Sequence, residues 1–218
     1  MNGIDPVLSL AIGIMVSLVP IFAVLATSFT KISVVFALLK QALGLQQVPP
    51  SFVLNALALC LTAFIMAPVF NAGYDQVKTK TANPEFGKKY DHLLVVAEAF
   101  ANPLRGFLDK HTPEKERLFF VKATKGLWPQ DMAEKVKKDD LMILIPAFVV
   151  SELTLAFQIG FLLFLAFLVV DLITANILLA LGMQMTSPMT LAIPFKLLLF
   201  VSLDGWSRLV HSLVTSYT

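Results

Sequence analysis

The chain has 218 residues, of which 57% are hydrophobic and 15% charged, with a mean hydropathy of +0.77. Soluble domains carry about 25% charged residues, so the composition excludes an ordinary soluble protein and points to a membrane one. The net charge of +2 conceals a segregation, because 13 of the 17 Lys and Arg and 11 of the 15 Asp and Glu lie between Tyr74 and Leu141.

Pro6 to Thr30 is uncharged and longer than the about 20 residues that span a bilayer. Pro20 is expected to kink it, which membrane helices tolerate. The N-terminal MNGIDPVLSL lacks the positive region of a signal peptide, so this stretch is expected to be retained. Lys31 and Lys40 bracket a short amphipathic piece, Ile32 to Leu39, that runs to Gly44. Gln46-Gln47 and Pro49-Pro50 then break the chain, and Ser51 to Phe70 follows as an apolar helix ending near Pro68 and Gly73.

The polar insert covers 71–140. Lys78 to Lys89 reads as loop, whereas Leu93 to Phe107 and Glu114 to Leu127 read as short amphipathic helices with breaks at Pro103, Pro113 and Pro129. HLLVVAEAF also tolerates a strand. Leu141 to Leu181 is the longest apolar segment and is interrupted only by Glu152 and Asp171. At about 1.5 Å per residue it would reach roughly 60 Å, about twice the hydrocarbon thickness. It is expected to bend, form a hairpin or project beyond the bilayer, with Pro146 and Gly160 as candidate bends. LGMQMTSPM is a turn-like interruption, and the last helix, about Thr190 to Ser216, contains Pro194, Lys196, Asp204 and Arg208.

The expected fold is therefore all-α, made of membrane-associated helical hairpins with a helical polar insert. It is organised as N-terminal hydrophobic helices (1–70), the insert (71–140) and C-terminal hydrophobic helices (141–218) with a Met-rich turn at 182–189. There is no internal repeat of the kind secondary transporters use. A positive-inside count would put the insert in the cytoplasm, but that rule applies to loops shorter than about 60 residues and does not decide here.

Glu152 carries the sharpest expectation. An ionised side chain at bilayer depth costs about 2.5–3.5 kcal/mol, so it needs a partner or water. Lys31 and Lys196 are the natural partners; the alternative is a solvated or protonated acid near the helix end. Lys196 and Asp204 fall roughly on one face and either share a polar seam or snorkel independently. Asp171, with Thr174 and Asn176, either satisfies backbone at a bend or bonds across helices. Met183, Met185 and Met189 fill a core unless an oligomer sets their turn on its axis, where flexible thioethers would close around an irregular object.

Other chemistry is poorly represented. Cys60 is alone, and His92, His111 and His211 are scattered, so neither a disulfide nor a metal site is expected. There is no HExxH, phosphate-cradling Gly-rich loop or GxSxG. The expectation is a non-enzyme with no cofactor and no nucleic-acid partner. A small-solute or ion transporter is the alternative, with 171–188 as the only stretch resembling a broken helix; an assembly factor without a pore is a third reading.

Three long stretches carry a resemblance: PAFVVSELTLAFQIGF (Pro146 to Phe161), ATSFTKISVVFALLKQALGLQQVPP (Ala26 to Pro50) and IPFKLLLFVSLDGWSRLV (Ile193 to Val210). In order, they resemble the SctR/FliP family, a core export-gate component of type III secretion systems and of the flagellar export apparatus. The resemblance covers nearly the whole chain and is weakest in the insert. It implies a homo-oligomer of about five copies that joins two other small hydrophobic subunits in a helical, cone-like portal. Such a portal would lie at the bacterial inner membrane, largely on its periplasmic side, with the insert periplasmic. It would have a large export-gate protein and rod or needle components nearby and unfolded proteins in transit. The family's methionine gasket corresponds to Met183, Gln184 and Met185, with Met189 close by; Gln184 replaces the middle methionine by an amide. Independently of the resemblance, Lys31, Glu152, Asp171, Lys196 and Asp204 are expected to pair charges and pack helices within or between copies, because each charge is too costly in an apolar assembly without a partner. The absence of an N-terminal signal sequence favours the virulence-system branch.

Overall fold

The computed structural model describes residues 13, 17, 20–22, 24–81, 91–183 and 185–218. Every regular element among them is helical: α1 (Phe29–Ala42), α2 (Ser51–Thr81), α3 (Asp91–His111), α4 (Glu114–Leu127), α5 (Gln130–Ala133), α6 (Leu141–Ala180), α7 (Pro188–Ser202) and α8 (Gly205–Thr215). The strand reading of HLLVVAEAF is not taken. The uncharged first stretch is helical at its described positions up to Leu25, and a turn over 26–28 separates it from α1.

Among the described residues, two helices are long and apolar enough to cross a membrane: Ser51–Lys80, with mean hydropathy 2.2, and Leu141–Ala180, with 2.5. Only 22% and 17% of their most apolar windows are buried by the chain itself. Apolar surface left this bare has to be covered by lipid or by other subunits.

Three helix limits differ from expectation. α2 passes Pro68 and Gly73 and continues to Thr81, and α3 passes Pro103. Proline forfeits one backbone bond, which a long helix with tertiary support absorbs. Residues 82–89 of the expected loop lie outside the described residues. α6 is a single helix of 40 residues that runs through Pro146 and Gly160, not a hairpin. Gly160 serves packing instead: a Cβ there would run into the Leu38 side chain, which would have to move for α1 to stay this close.

The expected last helix is two. α7 and α8 meet at 61°, and the break is Asp204, which has a left-handed backbone at φ 53. Asp tolerates this conformation better than most residues, and a helix cannot continue through it.

The chain divides into two units. One comprises Lys31–Ala67 with Val150–Thr218. Its aromatic cluster joins Phe36, Trp206, Phe200 and Phe167 by contacts of 5.5–6.4 Å between ring centres. The other comprises Met1–Thr30 with Pro68–Val149. Its core is Leu108, Leu144 and Phe148, covered by Leu104, Phe107, Leu141 and Ile145. Prolines cap the N-termini of α4 and α5, at Pro113 and Pro129 as expected.

Candidate functional site

The first polar constellation is centred on Glu152, which is 1% exposed in α6. Lys31, 2% exposed near the start of α1, brings its Nζ to 3.4 Å from Glu152 Oε1. The Tyr217 hydroxyl donates to Glu152 Oε2, and the Lys31 ammonium lies 3.6 Å from the centre of the Tyr217 ring. Each charge thus has more than one partner, which a buried ion pair requires if its lost hydration is to be offset. Burial, and then the charge of Glu152, push the Tyr217 phenol well above its ordinary value, so it stays a proton donor. Of the two partners expected for Glu152, the structure selects Lys31.

The second constellation belongs to Lys196, which is 3% exposed in α7. Its Nζ lies 2.7 Å from Asp171 Oδ2 and donates to the Ala42 carbonyl at 3.1 Å. Ala42 is the last residue of α1, so its carbonyl lacks an intrahelical partner and sits at the negative end of the helix dipole. Lys196 therefore neutralises an acid of α6 and caps α1 at once. Asp204 is not its partner; it occupies the break between α7 and α8. Asp171 Oδ1 is buried and makes no hydrogen bond. The hydroxyl of Thr174 turns back to the Val170 carbonyl, as serines and threonines do within apolar helices.

The third feature is the methionine turn. α6 ends where Gly182 adopts φ +71, with Met183 N–H donating to Leu178 O at 2.9 Å and Gly182 N–H to Leu179 O at 3.1 Å. This pair of bonds is the Schellman stop, which satisfies the carbonyls of the last turn. Gly44 ends α1 in the same way. Pro188 then opens α7 at a position where its missing N–H costs nothing. Between Gly182 and Pro188, Met183 is 45% and Met185 101% exposed, and Met189, in the first turn of α7, is 62% exposed. Gln184 lies outside the described residues. Within one chain these methionines fill no core, contrary to the reading from composition.

Tyr217 and the Ala42 carbonyl escape a reading of the sequence. Tyr217 lies beyond every motif quoted above, and its pairing with Glu152 spans 65 residues. Among the described residues, no three His, Cys, Asp or Glu are grouped to hold a metal ion.

Among the described residues, two apolar helices of spanning length, charges locked against one another inside the chain and large apolar faces left to lipid or other subunits define an α-helical membrane protein. Residues 12–213 match the FliP family, and the chain belongs to that family. It is 50% identical over 210 residues, 96% of each chain, to "Pathogenicity-related ORF2" of Xanthomonas campestris pv. glycines. It is 45% identical over 217 residues, the whole of both chains, to "Hypersensitivity response secretion protein HrcR" of Ralstonia nicotianae. It is also 50% identical over 206 residues to "Yop proteins translocation protein R" of Yersinia pestis, covering 93% of this chain and 92% of that one.

Proposed function

We propose that this chain is a subunit of the type III secretion export gate, and that with partner subunits it forms the gated inner-membrane portal for unfolded secreted proteins. Membership of the FliP family, and relatives named for secretion and translocation, support protein export over the transport of small solutes. The chain is a membrane-embedded component of the secretion apparatus with a structural, conduit-shaping role.

In this proposal about five copies join two other small hydrophobic subunits in a helical cone, largely on the periplasmic side of the membrane. The insert faces the periplasm, and the large export-gate protein and rod or needle components lie nearby. Met183, Gln184, Met185 and Met189 form the constriction. The observation that carries this assignment is the complete exposure of Met185 on a turn held between two fixed helix ends. A flexible apolar side chain is left this bare where neighbouring copies are to meet it. The pairs Lys31–Glu152 and Lys196–Asp171 keep the helices of each copy in register. Asp204 sets the angle between α7 and α8.

The test is ion leakage through the assembled gate in the absence of substrate. Met183→Ala and Met185→Ala together should raise resting conductance several-fold while the complex still assembles. A gate that stays tight with both methionines removed would dismiss the constriction. A chain that forms no oligomer with its neighbouring export subunits would dismiss the gate itself.

A further inference from the structure

The insert holds a surface that neither the ion pairs nor the methionine turn uses. On α4, Lys115, Leu118, Phe119, Lys122, Lys125 and Gly126 recur at helical spacing and share one face. Thr124, buried, marks the opposite face. Leu118 is 51% and Phe119 62% exposed, and the three lysines beside them form no ion pair among the described residues. The acids of the first turn stand off this face, and Glu114 is already bound to Lys138 at 3.3 Å. The face is thus positive with no counter-charge of its own, and its apolar groups alternate with the lysines instead of forming a separate patch.

We propose that this face of α4 lies on an anionic phospholipid surface. Interleaved Lys and Leu/Phe suit the interface of a bilayer. Alkyl stems and rings enter the boundary between headgroups and acyl chains, while the ammonium groups reach back to the phosphates. The bilayer is also close along the chain: α6, the longest apolar helix, begins at Leu141, only one short helix and a turn after α4 ends. Charge complementarity selects lipids with net negative headgroups over zwitterionic ones.

The test uses the full-length chain reconstituted in vesicles, in a Cys60→Ser background with a nitroxide at Gly126→Cys. A Cβ at Gly126 has no neighbour within 4 Å, so the label enters open space and leaves the lysines and Phe119 in place. Should that variant fold poorly, Leu118→Cys reports on the same face with all three lysines in place. In vesicles containing phosphatidylglycerol, collisions with oxygen should exceed those with a water-soluble nickel chelate several-fold. The preference should reverse in pure phosphatidylcholine, at about 1 M salt, where charges are screened within about 3 Å, and in Lys115→Gln/Lys122→Gln/Lys125→Gln. A label open to the nickel chelate in every lipid overturns the proposal. So does one closed to both reagents, which would mean an acidic protein surface covers α4. A label that prefers oxygen regardless of lipid charge and salt overturns it as well.

Discussion

The two units of this chain use the same chemistry to opposite effect. In the insert, Lys80 meets Glu98 at 3.0 Å and Lys138 meets Glu114 at 3.3 Å. In the other unit, Lys31 meets Glu152 at 3.4 Å and Lys196 meets Asp171 at 2.7 Å. The distances overlap, but the surroundings do not. These two insert pairs have side chains 39–72% exposed, and a third, Arg117 with Asp109, 18% and 51%, whereas Lys31 and Glu152 are 2% and 1% exposed. Water screens the first group and competes for it, so such pairs contribute about 0–1 kcal/mol. Lys31 and Glu152 have been stripped of water, so neither is tolerable alone, whereas Asp171 keeps 28% of its side chain exposed beside the buried Lys196. Distance finds an ion pair; burial decides what losing one member costs.

The largest effect should come from Lys31→Met. It leaves the Glu152 carboxylate buried opposite a thioether and should cost about 3–5 kcal/mol, read as a loss of folded protein in detergent on heating. If burial is the cause, Lys31→Met/Glu152→Leu should recover much of that loss, because the stranded charge has gone with its partner. A double variant as unstable as the single one would mean that shape, not charge, dominates the site.

Tyr217→Phe comes next. It keeps the ring beneath the Lys31 ammonium and deletes only the hydroxyl that donates to Glu152. Hydrogen bonds to charged groups contribute about 1.5–3 kcal/mol, so thermal stability should fall by less than in Lys31→Met. No change at all would show that the phenol is a spectator. The smallest effect belongs to Lys80→Ala, which should change stability by less than about 1 kcal/mol and lose even that in high salt. A larger loss would erase the contrast between the two units.

Much of this was legible from composition and pattern. Apolar runs marked the helices now seen as α2 and α6, the second with Glu152 and Asp171 inside it. Glu152 was visible as a charge too costly to stand alone, with Lys31 among its candidate partners. Neither reading of Lys196, a seam shared with Asp204 or independent snorkelling, named Asp171. Asp204 looked available only if the last segment was one helix, and its left-handed backbone breaks that helix. Local pattern also overstated proline: Pro68, Pro103 and Pro146 lie inside helices. A long helix in apolar surroundings keeps its other backbone bonds, so the one a proline forfeits does not end it.

The sequence by itself determined the class of protein, the apolar helices and the expense of each buried charge, because these follow from residue type and its transfer from water. Where α1 and α6 end was also written locally, in Gly44 and Gly182. Only the tertiary structure decided that Lys31 answers Glu152, that Tyr217 completes that site, and that Lys196 joins Asp171 to the end of α1. Lys31 and Glu152 are 121 residues apart and Lys196 and Ala42 are 154 apart. At such separations a charge requires a partner but does not name one; the packing of helices brings the two together.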